Sequence, residues 1–110
     1  MSTARARHVA LLGDSTIDNE LYVEDGVPVA EHLRSVIGAG HRVTMLAVDG
    51  HRAQDVLRDQ LPRLQRGTTH LVLSVGGNDA LQYIDVLQQP VGTVAEGIAR
   101  LGRGVQDFEA

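Results

Sequence analysis

Three short clusters of small and polar residues carry the chemistry this sequence offers: Gly13-Asp14-Ser15, Asp49-Gly50 and Gly76-Gly77-Asn78-Asp79. Each closes a run of mostly apolar residues. A serine beside a glycine can present its hydroxyl openly, and glycine lets backbone N–H groups approach a ligand with no Cβ in the way. An asparagine side chain adds a further N–H donor. A hydroxyl nucleophile flanked by donors is what acyl transfer requires. The hydroxyl attacks a carbonyl, and the donors stabilise the oxyanion that develops. Losing one such donor costs about 10²–10³ in rate. Taken one at a time the clusters also read as ordinary turns. Asp and Ser cap strand exits, and Asp-Gly is a common turn pair.

The elements that must position these clusters alternate. Residues 7–13 (RHVALLG) form a short apolar run ending at Gly13, as suits a strand buried on both faces. Residues 14–26 are polar and turn-rich. Apolar positions 29, 30, 33, 36 and 37 have helical spacing, with Pro28 in the first turn and Gly38 at the exit. Residues 41–48 and 70–75 are the second and third strand candidates. Ala53, Val56, Leu57 and Leu61 make a second helical stripe, stopped by Pro62. Residues 80–90 read as either a loop or a short helix. Thr93 and Glu96 form a capping box, and Val94, Ile98, Leu101, Val105 and Phe108 then make one apolar stripe. That stripe still runs at Ala110 with no stop signal, so the sequence reads as cut inside a helix. Gly97, Gly102 and Gly104 each cost the helix roughly 1 kcal/mol relative to alanine, so it needs a packing surface.

The β-α-β-α-β-α order predicts an α/β fold with a parallel sheet and right-handed crossovers. Open parallel sheets bind ligands outside the carboxyl ends of their strands, and all three clusters fall on that rim. The 110 residues make one domain, 43% apolar and 22% charged, which excludes disorder. No apolar run spans a membrane. Arg5 and Arg7 precede an apolar run too short for a signal-peptide core, so the expected location is cytoplasmic. The ten positive charges are all arginine and scattered, against a net charge of -4, so nucleic acid is not an expected partner. With no cysteine, disulfides and thiolate chemistry are excluded. No histidine pair has metal-ligand spacing, and neither a metal nor a cofactor is expected. Gly38-Ala39-Gly40 follows a helix, so it is no dinucleotide fingerprint. His8, His41 and His70 open strands on the rim opposite the clusters, and His32 lies beside the first helical stripe. His51 follows Gly50 on the same rim as the clusters. It reads as a substitute base or as a helix-start residue facing solvent.

GDS after strand one, a glycine after strand two and GGND after strand three resemble blocks I, II and III of the SGNH (GDSL-type) hydrolases. Gly13-Asp14-Ser15-Thr16-Ile17-Asp18-Asn19, with Tyr22 soon after, resembles the first block of one bacterial branch of that family. The resemblance implies a flavodoxin-like three-layer sandwich with strand order 2-1-3-4-5, of which residues 1–110 supply strands one to three and the first helices, about the N-terminal half of the domain. It implies an esterase. Ser15 would be the nucleophile, and the Ser15 and Gly50 backbone N–H groups with the Asn78 side chain would form the oxyanion hole. Asp14 and Asp79 would orient the loops. The family's histidine, paired with an aspartate as D-x-x-H, has no match here, so the base is expected outside this chain. The implied partners are a small ester substrate and the missing C-terminal half, or a second copy joined at the exposed edge of strand three. Two other readings stand beside it. One is an incomplete hydrolase that only binds. The other is a flavodoxin-like module whose glycine-rich loops cradle a phosphorylated ligand. Tyr22, Leu81, Tyr83 and Ile84 suggest either an apolar acyl pocket or core packing.

Overall fold

The computed structural model describes residues 6–109; Arg5 and Ala110 lie outside them. Three parallel strands, β1 (His8–Gly13), β2 (Arg42–Met45) and β3 (His70–Ser74), form one sheet in the order β2-β1-β3. The fold is α/β. Every residue of the central strand β1 is buried. Successive side chains of a strand point to opposite faces, and β1 builds two cores accordingly. Val9 and Leu11 pack with Ile17, Ala30 and Ala47, under Val29 and Leu33 of helix α1 (Val29–Ile37). Ala10 and Leu12 pack on the other face with Leu46 and Val56, flanked by Leu64 and Val75. Helical segments therefore cover both faces of β1, in three layers.

Two sequence expectations shift at element ends. The second strand is regular only to Met45. Leu46 and Ala47 both donate to the Leu11 carbonyl (2.9 Å each), which breaks the one-to-one ladder, and the Val48 N–H then reaches the Gly13 carbonyl (3.1 Å). In α1, Val36 turns to solvent, so the buried stripe is narrower than the spacing suggested.

The larger correction lies in the second helical segment. Helix α2 (Ala53–Asp55) passes at once into a π turn (Val56–Gln60) and a 3-10 turn (Leu61–Arg63). The Leu61 N–H reaches back to the Val56 carbonyl, five residues away. This wider turn rotates the face that meets the sheet. Val56 and Gln60 are buried, while Leu57 and Leu61 of the expected stripe are exposed. π turns inside helices are uncommon and concentrate at functional sites.

Beyond β3 come helix α3 (Gly77–Leu81), a 3-10 stretch (Ile84–Gln88) and helix α4 (Val94–Glu109). Residues 80–90 are thus mostly helical turns. Thr93 Oγ1 accepts the Glu96 N–H (3.1 Å) as expected, but the Glu96 carboxylate returns to the Gly92 N–H (3.0 Å), one residue earlier than in a regular box. Leu71, Val72 and Leu73 of β3 remain exposed, as does the α4 stripe, where Ile98 is 66% accessible. The radius of gyration is 18.9 Å, against about 13 Å for a compact chain of this length. β3 pairs only with β1, so its outer edge is open among the described residues.

Candidate active site

Gly13 ends β1 with φ +133°, and a Cβ there would stand 1.9 Å from the Ser74 carbonyl oxygen. Only glycine allows the chain to leave β1 so close to β3. The Asp14 N–H then donates to that carbonyl (3.1 Å). Asp14 is buried and organises the turn that carries Ser15. Its Oδ1 accepts the Thr16 N–H (3.0 Å), and its carbonyl accepts the Ile17 and Asp18 N–H groups (3.1 and 2.8 Å). Ser15, half-buried, sits at the head of this turn.

The second loop is tied to the first. Asp18 Oδ2 accepts the Asp49 N–H (2.8 Å), and the Tyr22 hydroxyl donates to Asp49 Oδ2 (2.8 Å). That bond holds the Tyr22 phenol above its usual pKa, because ionisation would set two anions side by side. Tyr22 therefore braces the loops and does not join Leu81, Tyr83 and Ile84. Those three line a separate apolar cavity of about 470 Å³ against Leu101, Val105 and Phe108 of α4. Gly50 follows Asp49 with φ +91° in a turn closed by the His51 N–H on the Val48 carbonyl (3.1 Å).

The third loop is tied to the second. Asn78 Nδ2 donates to the His51 carbonyl (3.0 Å), and Asp79 Oδ2 accepts the Ala53 N–H at the start of α2 (3.0 Å). The Asp14 carboxylate approaches within 3.9 Å of the position a Cβ on Gly77 would take, so the first and third loops adjoin as well. The five residues singled out in the sequence thus lie at one rim of the sheet, on two loops and the first turn of α3, braced against one another. Among the described residues, nothing accepts the backbone N–H of Ser15 or of Gly50, and one N–H of the Asn78 amide is also unspent. Among the described residues, no imidazole or carboxylate bonds the Ser15 hydroxyl, and no group of three His, Asp or Glu side chains converges as metal ligands would.

The sequence reading missed Gln60. Its buried amide grips the backbone of Gly13 from both sides, Oε1 accepting the N–H (2.9 Å) and Nε2 donating to the carbonyl (2.8 Å). Nε2 also meets His51 Nδ1 (2.9 Å). A glutamine between Asp59 and Leu61 carries no signal of burial. Only the π turn brings it under the sheet. Beside it, Asp55 accepts the Arg52 N–H (2.9 Å), which holds its carboxyl below the usual range, and the Arg58 guanidinium does the same for Asp59.

Other His residues lie away from this rim. The buried His8 bonds Thr44 Oγ1 through Nε2 (2.6 Å), and His41 Nδ1 accepts the Arg7 N–H (2.9 Å).

No protein-family model matches the chain, and no curated protein matches it. Among solved structures, an extracellular lipase from Streptomyces rimosus superposes with a TM-score of 0.53 at 24% identity, over 90% of this chain and 46% of the lipase. The likeness establishes a shared fold. The chain spans about half the length of that lipase.

Proposed function

We propose that this chain carries the nucleophile and oxyanion hole of a serine ester hydrolase of the SGNH type. The observation that supports it most is that Ser15, Gly50 and Asn78, each with an N–H left unspent, sit on adjoining segments at one rim, braced by Asp14, Asp18 and Asp79. In this reading the Ser15 hydroxyl attacks the carbonyl carbon of a carboxylic ester while a base takes its proton. The three donors hold the resulting oxyanion. The tetrahedral adduct collapses, the alcohol leaves with a proton, and an acyl group remains on Ser15. Water attacks that acyl-enzyme and releases the acid. Asp14 and Asp79 keep the loops in place and do not react.

The base comes from outside the described residues, as a His–Asp pair on a further α/β segment. That segment adds parallel strands to the open edge of β3 and covers its exposed side chains. The lipase likeness, which leaves more than half of that protein unmatched, supports this arrangement. The unpartnered Ser15 hydroxyl also favours a second reading, in which the chain alone binds esters without turning them over. Hydrolysis of chromogenic acetate and butyrate esters separates the two. Turnover lost in Ser15→Ala supports the hydrolase. Equal rates for the two proteins with the base-bearing segment present would overturn it.

A further inference from the structure

We propose that His51 serves this rim as a hydrogen-bond donor through Nε2–H, held in that form by Gln60, and is not the base. The ligand it would contact, an oxygen of an ester substrate, rests on the hydrolase reading. The Gln60–His51 arrangement does not.

The N–H and C=O of Gly13 both face the Gln60 amide, at 2.9 and 2.8 Å. A donor and an acceptor on one backbone unit fix which end of that amide is oxygen. The flipped amide would set oxygen against oxygen and N–H against N–H, in a pocket where Gln60 is 1% accessible. Nε2 therefore points at His51 Nδ1, 2.9 Å away, and it can only donate. Nδ1 must accept, so the proton of the neutral ring sits on Nε2.

The consequence for chemistry is direct. A base needs a free lone pair, and the lone pair of this imidazole is engaged by Gln60. Moving the proton to Nδ1 would oppose two N–H groups and loosen the grip on Gly13, two residues from Ser15. Nε2, in contrast, is available. Among the described residues it has no protein partner, and no buried side-chain nitrogen there lacks one, so it reaches solvent. The backbone of His51 is tied into the rim at both its N–H, bonded to the Val48 carbonyl, and its C=O. Its N–H closes the Gly50 turn, and its carbonyl takes the Asn78 amide. Gln60 is thus a positioning residue with two outputs: it fixes the strand exit ahead of Ser15, and it leaves an unspent N–H donor on the loop that bears Gly50.

The test is a long-range 15N–1H correlation spectrum of the full chain at a pH where the ring is neutral, with His51 assigned by its loss in His51→Gln. The expected pattern has the proton on Nε2. A predominant Nδ1–H form overturns the proposal. The second measurement is the labelling rate of Ser15 by a fluorophosphonate with the base-bearing segment present. His51→Ala is expected to slow it by about 10²-fold, the scale of one lost donor. His51→Gln, which keeps an N–H, is expected to recover most of that loss. Labelling of His51→Ala at the wild-type rate overturns the donor role. Absence of labelling in the wild type with the base-bearing segment in place, and with the Nε2–H form present, rejects the ester as ligand and leaves the Gln60–His51 assignment intact.

Discussion

Replacing Gly13 by alanine should be among the most damaging single changes in this chain. The added Cβ would stand 1.9 Å from the Ser74 carbonyl oxygen and 2.7 Å from its carbon, both backbone atoms. No rotamer relieves that overlap; β1 and β3 must part at their carboxyl ends. The Asp14–Ser74 bond then goes, with the adjoining ladder contact, at a net cost of about 1 kcal/mol each. A non-glycine residue at φ +133° adds strain of about 1–3 kcal/mol. The sum is about 3–5 kcal/mol, a large part of the roughly 5–15 kcal/mol that holds a domain of this size. At a urea slope of about 2 kcal/mol/M, the unfolding midpoint should fall by about 2 M. Gly38→Ala is the control. Gly38 also has positive φ (+74°), but no atom lies within 4 Å of its would-be Cβ, so only the strain of about 1–3 kcal/mol is expected. Urea melts of the two variants followed by circular dichroism check this. Equal midpoints would refute the claim that a close approach of backbones, and not backbone strain alone, demands glycine before Ser15.

Gln60→Leu keeps the volume but strands the buried N–H and C=O of Gly13, and should cost about 2–5 kcal/mol in the same melts. Asp55 has a folded pKa below its unfolded value, so its contribution is full above about pH 4 and fades as pH falls through the folded value. Asp55→Asn should flatten the acid side of the stability–pH curve, and an unchanged curve would show that the Arg52 N–H contact adds nothing. Leu73→Lys on the exposed edge strand should reduce self-association seen by light scattering; a wild type that is monomeric at all concentrations would remove the open edge as an association surface.

Much of this fold was legible because the central strand announces itself. Val9 to Leu12 is apolar without alternation, as two-sided burial requires, and glycine punctuates each strand exit. The common rim of Ser15, Gly50 and Asn78 followed from alternation of strands and helices, while the strand order came only with the family resemblance. The α2 segment was not legible. Its sequence offers Leu57 and Leu61 at helical spacing, yet the π turn buries Gln60 in their stead, because the amide satisfies the Gly13 backbone that a leucine would leave unpaired. Tyr22 was misread for a related reason. An aromatic ring near apolar residues suggests a pocket, but its hydroxyl found Asp49. Both misses are polar partnerships between residues 27 to 47 positions apart, to which local periodicity is blind.

The central claim is that Ser15 is a nucleophile. Its most direct test is the intact mass of the full chain before and after a fluorophosphonate, with peptide mapping of any adduct. One probe per chain is expected, mapped to Ser15 and absent in Ser15→Ala, once the segment bearing the base is present. Modification elsewhere, or none at Ser15 with that segment in place, would contradict it.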